Sequence, residues 1–249
     1  MEMIHKIENL VNEMVAQANT HTRYRQPLIA YASAYDHLFT QMKNIIGPHV
    51  AHPREILPEA KTVVAFFVPF SEETVKANRS EEKVPIEWAR AYIETNALIG
   101  EICARLKGEL EKEGIQAGFQ KATHNFNEVD LTTAWSHRSA AYVAGLGTFG
   151  VNRLLITPSG CAGRFGSIII SAEIPPSPKP TKEFCLYYQK GTCLSCVKNC
   201  PTKALQLHSW DKQKCYSHLL KVAEDYTELG LCDVCGKCNL GPCALAGCP

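Results

Sequence analysis

All but Cys103 and Cys161 of the 12 cysteines lie between residues 185 and 248. Any fold for this chain has to gather that stretch into a compact nest of thiols. The first half reads Cys185-x7-Cys193-x2-Cys196-x3-Cys200-Pro201, and the second supplies Cys215, Cys232, Cys235, Cys238, Cys243 and Cys248. Spacings this short aim thiolates from successive backbone turns at one small object, and the proline bends the chain away from it. Metal is the natural object. Structural zinc prefers self-contained C-x2-C knuckles and calls for neither the CP ending nor the solitary Cys215. Disulfides need an oxidising compartment, and no hydrophobic signal segment opens the sequence.

The first run differs from the two-cluster pattern C-x2-C-x2-C-x3-C-P only in a widened first gap. In such pairs the fourth cysteine of each run crosses to the other cluster, which gives a pairing rule. Cys185, Cys193 and Cys196 are expected to hold one 4Fe-4S cube with a late cysteine of the second run. Cys200 is expected to join Cys215 and a C-x2-C pair at the other. Two arrangements compete: Cys235-x2-Cys238 followed by Cys243, or Cys232-x2-Cys235-x2-Cys238 with Cys243 spare. The former is preferred, because Gly236 permits a tight turn inside the pair and Gly241-Pro242 delivers Cys243 as a separate arm. Cys232 and Cys248 are then dispensable, and Cys103 reads as a small core residue.

The rest of the chain is an ordinary globular sequence. Its 249 residues with 45% hydrophobic content suffice for one main domain and a smaller appended one, set at 1–174 and 175–249. A formal net charge of +1 provides no global field for nucleic acid. The longest apolar run, around 63–68, is strand-sized and far short of a bilayer crossing. A cytoplasmic protein is expected.

Apolar residues at helical spacing predict an amphipathic helix over 3–18. Prolines break 19–61 into short pieces, and His49, His52 and Arg54 fall in loop-like sequence without a third metal ligand beside them. The run TVVAFFVP at 62–69 predicts a buried strand, central to a sheet. Residues 71–83 lack apolar periodicity and read as a surface loop. A long helix follows over 88–113, with Glu101 and Arg105 paired at i,i+4 and Gly114 as its stop. Residues 136–144 suit a short helix, 153–157 and 167–174 suit strands, and Gly160, Gly163, Arg164 and Gly166 read as a flexible cationic loop before the second of these. Pro175, Pro176, Pro178 and Pro180 then form a stiff linker.

Taken together, the phrases ILPEAKTVVAF, VD, AGLGTFGVNRLLIT and GRFGSIII, the cysteine run ending CP, and the downstream KCYSHL resemble the epoxyqueuosine reductases and their short double-cluster relatives over about 52–245. The resemblance implies an α+β fold: a nitroreductase-like N-terminal domain that holds cobalamin, of the kind shared with reductive dehalogenases, and a C-terminal ferredoxin-like two-cluster module that feeds it electrons. The family's acid, placed before its AGLG phrase, falls on Asp130 as proton donor, which requires a pKa raised by burial. The serine two residues after the lone cluster cysteine falls on Ser217, near the corrin. Gly145, Gly147, Arg164, Gly166 and Ser217 are the cofactor contacts to expect, with FMN as the alternative cofactor. Full-length members continue into helical repeats that grip transfer RNA, whereas this sequence stops at Pro249, so the expected substrate is a small molecule and the expected electron donor a ferredoxin or flavodoxin. Two other readings compete with a reductase. A plain ferredoxin-type electron carrier explains the cysteines and leaves 1–174 without a role; the other is a redox-sensing iron–sulfur protein.

Overall fold

A computed structural model of the chain describes residues 2–248. In chain order the helices are α1 (Glu2–Ala16), α2 (His37–Ile45), α3 (Pro53–Ile56), α4 (Glu72–Ser80), α5 (Ile86–Glu111), α6 (His137–Val143), α7 (Leu186–Lys190), α8 (Ser195–Lys198) and α9 (Lys212–Glu224). The strands are β1 (Leu28–Ser33), β2 (Thr62–Pro69), β3 (Ala117–Gly118), β4 (Phe126–Asn127), β5 (Thr132–Thr133), β6 (Thr148–Phe149), β7 (Leu155–Ile156) and β8 (Gly163–Ile170). Four of them form an antiparallel sheet in the order β1-β2-β8-β3, with Leu28 opposite Phe67, Val64 opposite Ile168 and Ala117 opposite Ile170.

Strand β2 is buried along its whole length because helices cover both faces of the sheet. Successive side chains on a strand point to opposite faces. Val63, Ala65 and Phe67 accordingly enter one core with Phe39, Trp135 and the small residues of α6, while Val64, Phe66 and Val68 enter another with α1 and α5. An alternation that is apolar on both sides explains why 62–69 reads as an unbroken hydrophobic run.

Helix α5 is the longest element, 26 residues or about 39 Å at 1.5 Å per residue. Its later turns place Leu98, Ile99, Ile102, Leu106 and Leu110 on the sheet. Its first turns instead place Trp88 and Ala91 in a separate core with Phe70, Val222, Cys235 and Leu240. One rigid rod thus contacts both the sheet and the cysteine-rich segment. Arg105 pairs with Glu109 at 3.4 Å rather than with Glu101.

Three expectations need correction. Residues 72–80 are helix α4, not loop: Ser71 caps it by accepting from the Thr74 amide, and Glu72 and Glu73 favour its positive end. Its buried face is Thr74, Val75 and Asn78, too polar to register as an apolar stripe. The glycines at 163 and 166 belong to β8 rather than to a flexible loop, and a Cβ at Gly166 would collide with the Phe66 ring. Glycine here allows close approach between neighbouring strands. Finally, 19–61 contains an edge strand and two helices. His52 caps α3, accepting from the Arg54 amide while Glu55 reaches back to the His52 amide.

Phe66 is fully buried in the α1–α5 core. Phe66→Ala is expected to cost about 3–5 kcal/mol in denaturant unfolding, and a loss below about 1 kcal/mol would show that this face of the sheet is loosely packed.

Candidate metal centre and cleft

Eight cysteines stand around two spaces. A small cavity is walled by Cys185, Cys193, Cys196 and Cys243 with Val151, Ile156 and Pro242. Cys185 precedes α7, Cys196 sits in α8, and Cys243 lies in a single 3-10 turn that opens at Pro242. A second space, an open cleft, is lined by Cys200, Cys215, Cys235 and Cys238. These come from the chain just after α8, from the first turns of α9, and from either side of Gly236. Among the described residues no three His, Cys, Asp or Glu side chains draw close enough to grip a single metal ion. Each group of four surrounds an open volume instead.

Gly236 adopts φ +73°, and a Cβ there would enter the Trp88 ring. The C-x2-C turn is therefore pressed against the start of α5. Two further groups hold it: Asn78 Nδ2 donates to the Cys235 carbonyl at 3.0 Å, and Lys237 Nζ donates to the carbonyls of Asn78, Glu81 and Lys83 at 2.7, 2.6 and 3.0 Å. Lys237 is thus spent on backbone and points away from solvent.

Burial pushes the Cys196 and Cys235 thiols up to about 11 and raises Cys215 and Cys238 as well. Cys200 moves the other way: burial alone would raise it, but hydrogen bonds from the Leu205 amide at 3.4 Å and the Thr202 hydroxyl at 3.6 Å favour its thiolate. Cys243 is also lowered, because the Cys161 thiol 3.8 Å away donates to it, and the same contact raises Cys161. Metal ligation needs thiolates, so loading either group releases protons.

Asn152 joins the two spaces. It lines both, and its Nδ2 donates to Cys161 Sγ at 3.5 Å and to the Cys238 carbonyl at 3.4 Å. Cys232 is fully buried against α5 with its thiol toward the Ala89 carbonyl, and Cys248 donates to Gln189 Oε1 at 2.8 Å. Neither lines the small cavity or the cleft.

No family model matches the chain. A curated epoxyqueuosine reductase of Lactococcus garvieae (strain Lg2) is 26% identical over 196 residues, which cover 74% of this chain and 52% of that protein. Two solved epoxyqueuosine reductases superpose on the fold. The Streptococcus thermophilus structure gives a TM-score of 0.61 at 18% identity over 100% of this chain and 68% of its own. A Bacillus subtilis structure, in which the catalytic aspartate loop is swung out of the active site, gives 0.59 at 19% identity over 96% of this chain and 65% of its own. The chain is epoxyqueuosine reductase-like in sequence and fold. It spans about half the length of the curated relative.

Within this epoxyqueuosine reductase-like fold the residues expected to contact an organic cofactor are dispersed. Arg164 lines the cleft, its guanidinium 4.5 Å above the Tyr92 ring. Gly145 and Gly147 pack instead on backbone: a Cβ at Gly145 would lie 2.6 Å from the Pro178 carbonyl, and one at Gly147 would overlap the Ile156 carbonyl. Gly166 faces Phe66, and Ser217 is exposed on α9 while its neighbours Cys215, His218 and Leu219 line the cleft. Asp130 is exposed between β4 and β5. Its carboxylate accepts from the Thr132 hydroxyl at 2.6 Å and amide at 3.1 Å, and these bonds hold it below the usual carboxylate range. In this conformation Asp130 is ionised, the reverse of the raised pKa expected of a donor.

Sequence reasoning missed Tyr92, Arg138, Asn152 and Asp233, all on the cleft wall. Tyr92 Oη donates to Asp233 Oδ1 at 2.5 Å, and burial first, then that carboxylate, raises its pKa. Asp233 follows Cys232 directly, a signal available in the sequence, whereas Tyr92 is brought there only by the pitch of α5.

His137 carries a structural task. Its Nε2 donates to the Lys121 carbonyl at 3.0 Å, leaving Nδ1 to accept from Ser167 Oγ at 2.7 Å, which in turn accepts from Trp135 Nε1 at 3.0 Å. Burial lowers its pKa, so it is neutral. A histidine whose folded pKa lies below its unfolded value of about 6.5 contributes fully above that pH and loses the contribution as pH falls through it. Between pH 7.5 and 5.5 the wild type is therefore expected to lose more melting temperature than His137→Gln; equal losses would remove His137 as the cause. Gly236→Ala is expected to cost on the order of 3 kcal/mol through overpacking and a left-handed alanine, measured by thermal unfolding, and an unchanged midpoint would mean the turn relaxes away from Trp88.

Proposed function

We propose that the chain is an iron–sulfur reductase of a small molecule. Cys185, Cys193, Cys196 and Cys243 hold one 4Fe-4S cluster, Cys200, Cys215, Cys235 and Cys238 hold a second, and the cleft over the second group holds cobalamin. The observation that carries this reading is the sorting of eight thiols into two sets of four, one around a small cavity and one opening into a cleft with apolar and cationic walls. Soft thiolates in fours suit iron–sulfur clusters. Clusters supply electrons singly, and a corrin-bound cobalt supplies a centre that accumulates two.

The chain's own residues set the conditions. Trp88, Phe70 and Leu154 give the cleft apolar walls against which a flat macrocycle packs, and Arg138, Arg153 and Arg164 give it positive charge. Asn152 spans the distance between the two thiol groups. Asp130 serves as proton donor when its loop folds over the cleft, where burial would reverse its present low pKa. The swung-out loop of the Bacillus subtilis relative supports that movement. Residues 1–174 then act as a nitroreductase-like cofactor and substrate domain and 175–249 as linker and ferredoxin-like module, working in the cytoplasm with a ferredoxin or flavodoxin as donor.

Anaerobic, iron-replete protein is expected to contain about eight iron and eight sulfide per chain. Cys200→Ser, Cys215→Ser and Cys243→Ser should each lose about half of both, and Cys232→Ser and Cys248→Ser should lose none. Stoichiometric zinc without sulfide, or full iron in Cys243→Ser with loss in Cys232→Ser, would overturn the assignment. Hydroxocobalamin is expected to be retained with a changed visible spectrum, by wild type and by Asp130→Asn alike. Retention of FMN instead, or of neither, would exclude the corrin.

A further inference from the structure

A side chamber opens off the cleft, and the two share a wall of Arg138, Leu154, Gly163, Arg164 and Asn239. The chamber is lined by two arginines and no carboxylate. Among the described residues neither Arg138 nor Arg164 has an acid within ion-pair distance. Arg138 spends one N–H on the Arg153 carbonyl at 3.0 Å. Among the described residues the Arg164 guanidinium has no hydrogen-bond partner, and it stacks on Tyr92. Asp233, the one carboxylate that acts on Arg164 among the described residues, does so from beyond ion-pair distance and is engaged by the Tyr92 hydroxyl. His137 adds no charge, since both its ring nitrogens are occupied and it is neutral.

Two cations in one recess disfavour each other, and protein packed around their heads removes water that would solvate them; burial first, and then Arg164 acting on Arg138, lowers their pKa values. A guanidinium held this way, with its planar fork of donors unspent, matches the two oxygens of a carboxylate or phosphate. Thr123, Asn125 and Ser136 on the chamber wall already bond within the chain, to Tyr92, Lys121 and Ser139, so the arginines carry the recognition.

We propose that the chamber takes a small molecule carrying an oxyanion, a carboxylate or a phosphate, clamped by Arg164 and Arg138 at the junction with the cleft. This rests on the reductase reading, because it names the class of that reaction's substrate. The cysteines of both proposed clusters lie outside the chamber lining, where Cys161 is the one thiol. The anion therefore meets the arginines on the side away from the second cluster.

The test uses the full chain, anaerobically loaded with iron and sulfide, and calorimetric titration with sodium benzoate, inorganic phosphate and the neutral benzamide. Benzoate or phosphate is expected to bind at one site and benzamide at least tenfold more weakly. Arg164→Gln and Arg138→Gln should each weaken the anion at least tenfold, with Arg164→Lys between wild type and Arg164→Gln. Iron and sulfide content, measured on the same samples, should be unchanged in the arginine variants. Equal affinity for benzamide, no binding of either anion, or undiminished binding in the variants would overturn the proposal. So would loss of iron in the arginine variants, since the arginines would then serve the clusters. Zinc in place of iron in the wild type would sink the reductase reading, while arginine-dependent anion binding in that sample would still support the oxyanion site.

Discussion

The backbone amides of Cys161 and Ala162 donate to the carbonyls of Cys243 and Ala244 at 2.9 and 3.0 Å, and where the Cys243 arm of the first thiol group stands depends on that seam. It ties the tail that delivers Cys243 to the residues leading directly into β8. Gly160, at φ +83°, lets the two chains touch, and a Cβ there would overlap the Ala244 carbonyl. Arg25 reinforces the seam by donating to the carbonyls of Phe70, Ser159 and Leu245 at 2.9, 2.7 and 2.9 Å. Because β8 pairs along its full length with the buried β2, the register of the sheet is passed to the cysteines. The same strand carries Arg164, so the cleft's charge and the arm bearing Cys243 are placed by one element.

The other side of the metal segment is held by polar contacts rather than by apolar area. Helix α4 offers little hydrophobic surface, yet Asn78 and Val75 on it are fully buried. Asn78 grips the Cys235 carbonyl, and the carbonyls of Asn78 and of the α4–α5 connection receive Lys237. A buried ammonium with three carbonyl partners is satisfied and directional, whereas apolar packing would permit sliding. That distinction suits a turn whose two cysteines must present thiols at fixed angles.

The sequence made the central strand legible to the residue, because a two-faced core demands an unbroken apolar run, and it made α1, α5 and α6 legible by periodicity and caps. The crossing rule for paired cysteine runs suggested a grouping of the eight thiols, and the residues that line the two spaces are Cys185, Cys193, Cys196 and Cys243 for one and Cys200, Cys215, Cys235 and Cys238 for the other. What it hid was whatever depends on distance in space. Helix α4 was lost because its buried face is Thr74, Val75 and Asn78, residue types that read as surface. Gly163 and Gly166 suggested a mobile loop when their function is to admit the Phe66 and Phe67 rings. The chamber could not be foreseen at all, because Arg138 on α6 and Arg164 on β8 become neighbours only after the sheet and its covering helix have formed.

Electrostatics explains why arginines and thiols share this cleft. Burial alone keeps the Cys238 thiol protonated and weakens the hold of Arg138 on its own proton. Each charged form is therefore costly by itself in a region of low dielectric. The Cys238 thiolate, however, favours the cationic form of Arg138, and that attraction is stronger here than it would be in water. Arg138, which stays protonated, thus favours the thiolate form of Cys238 that metal ligation needs. Arg164, farther along the same wall and balanced by Tyr92 and Asp233 rather than by a thiol, is left with its donors directed to whatever enters from the chamber.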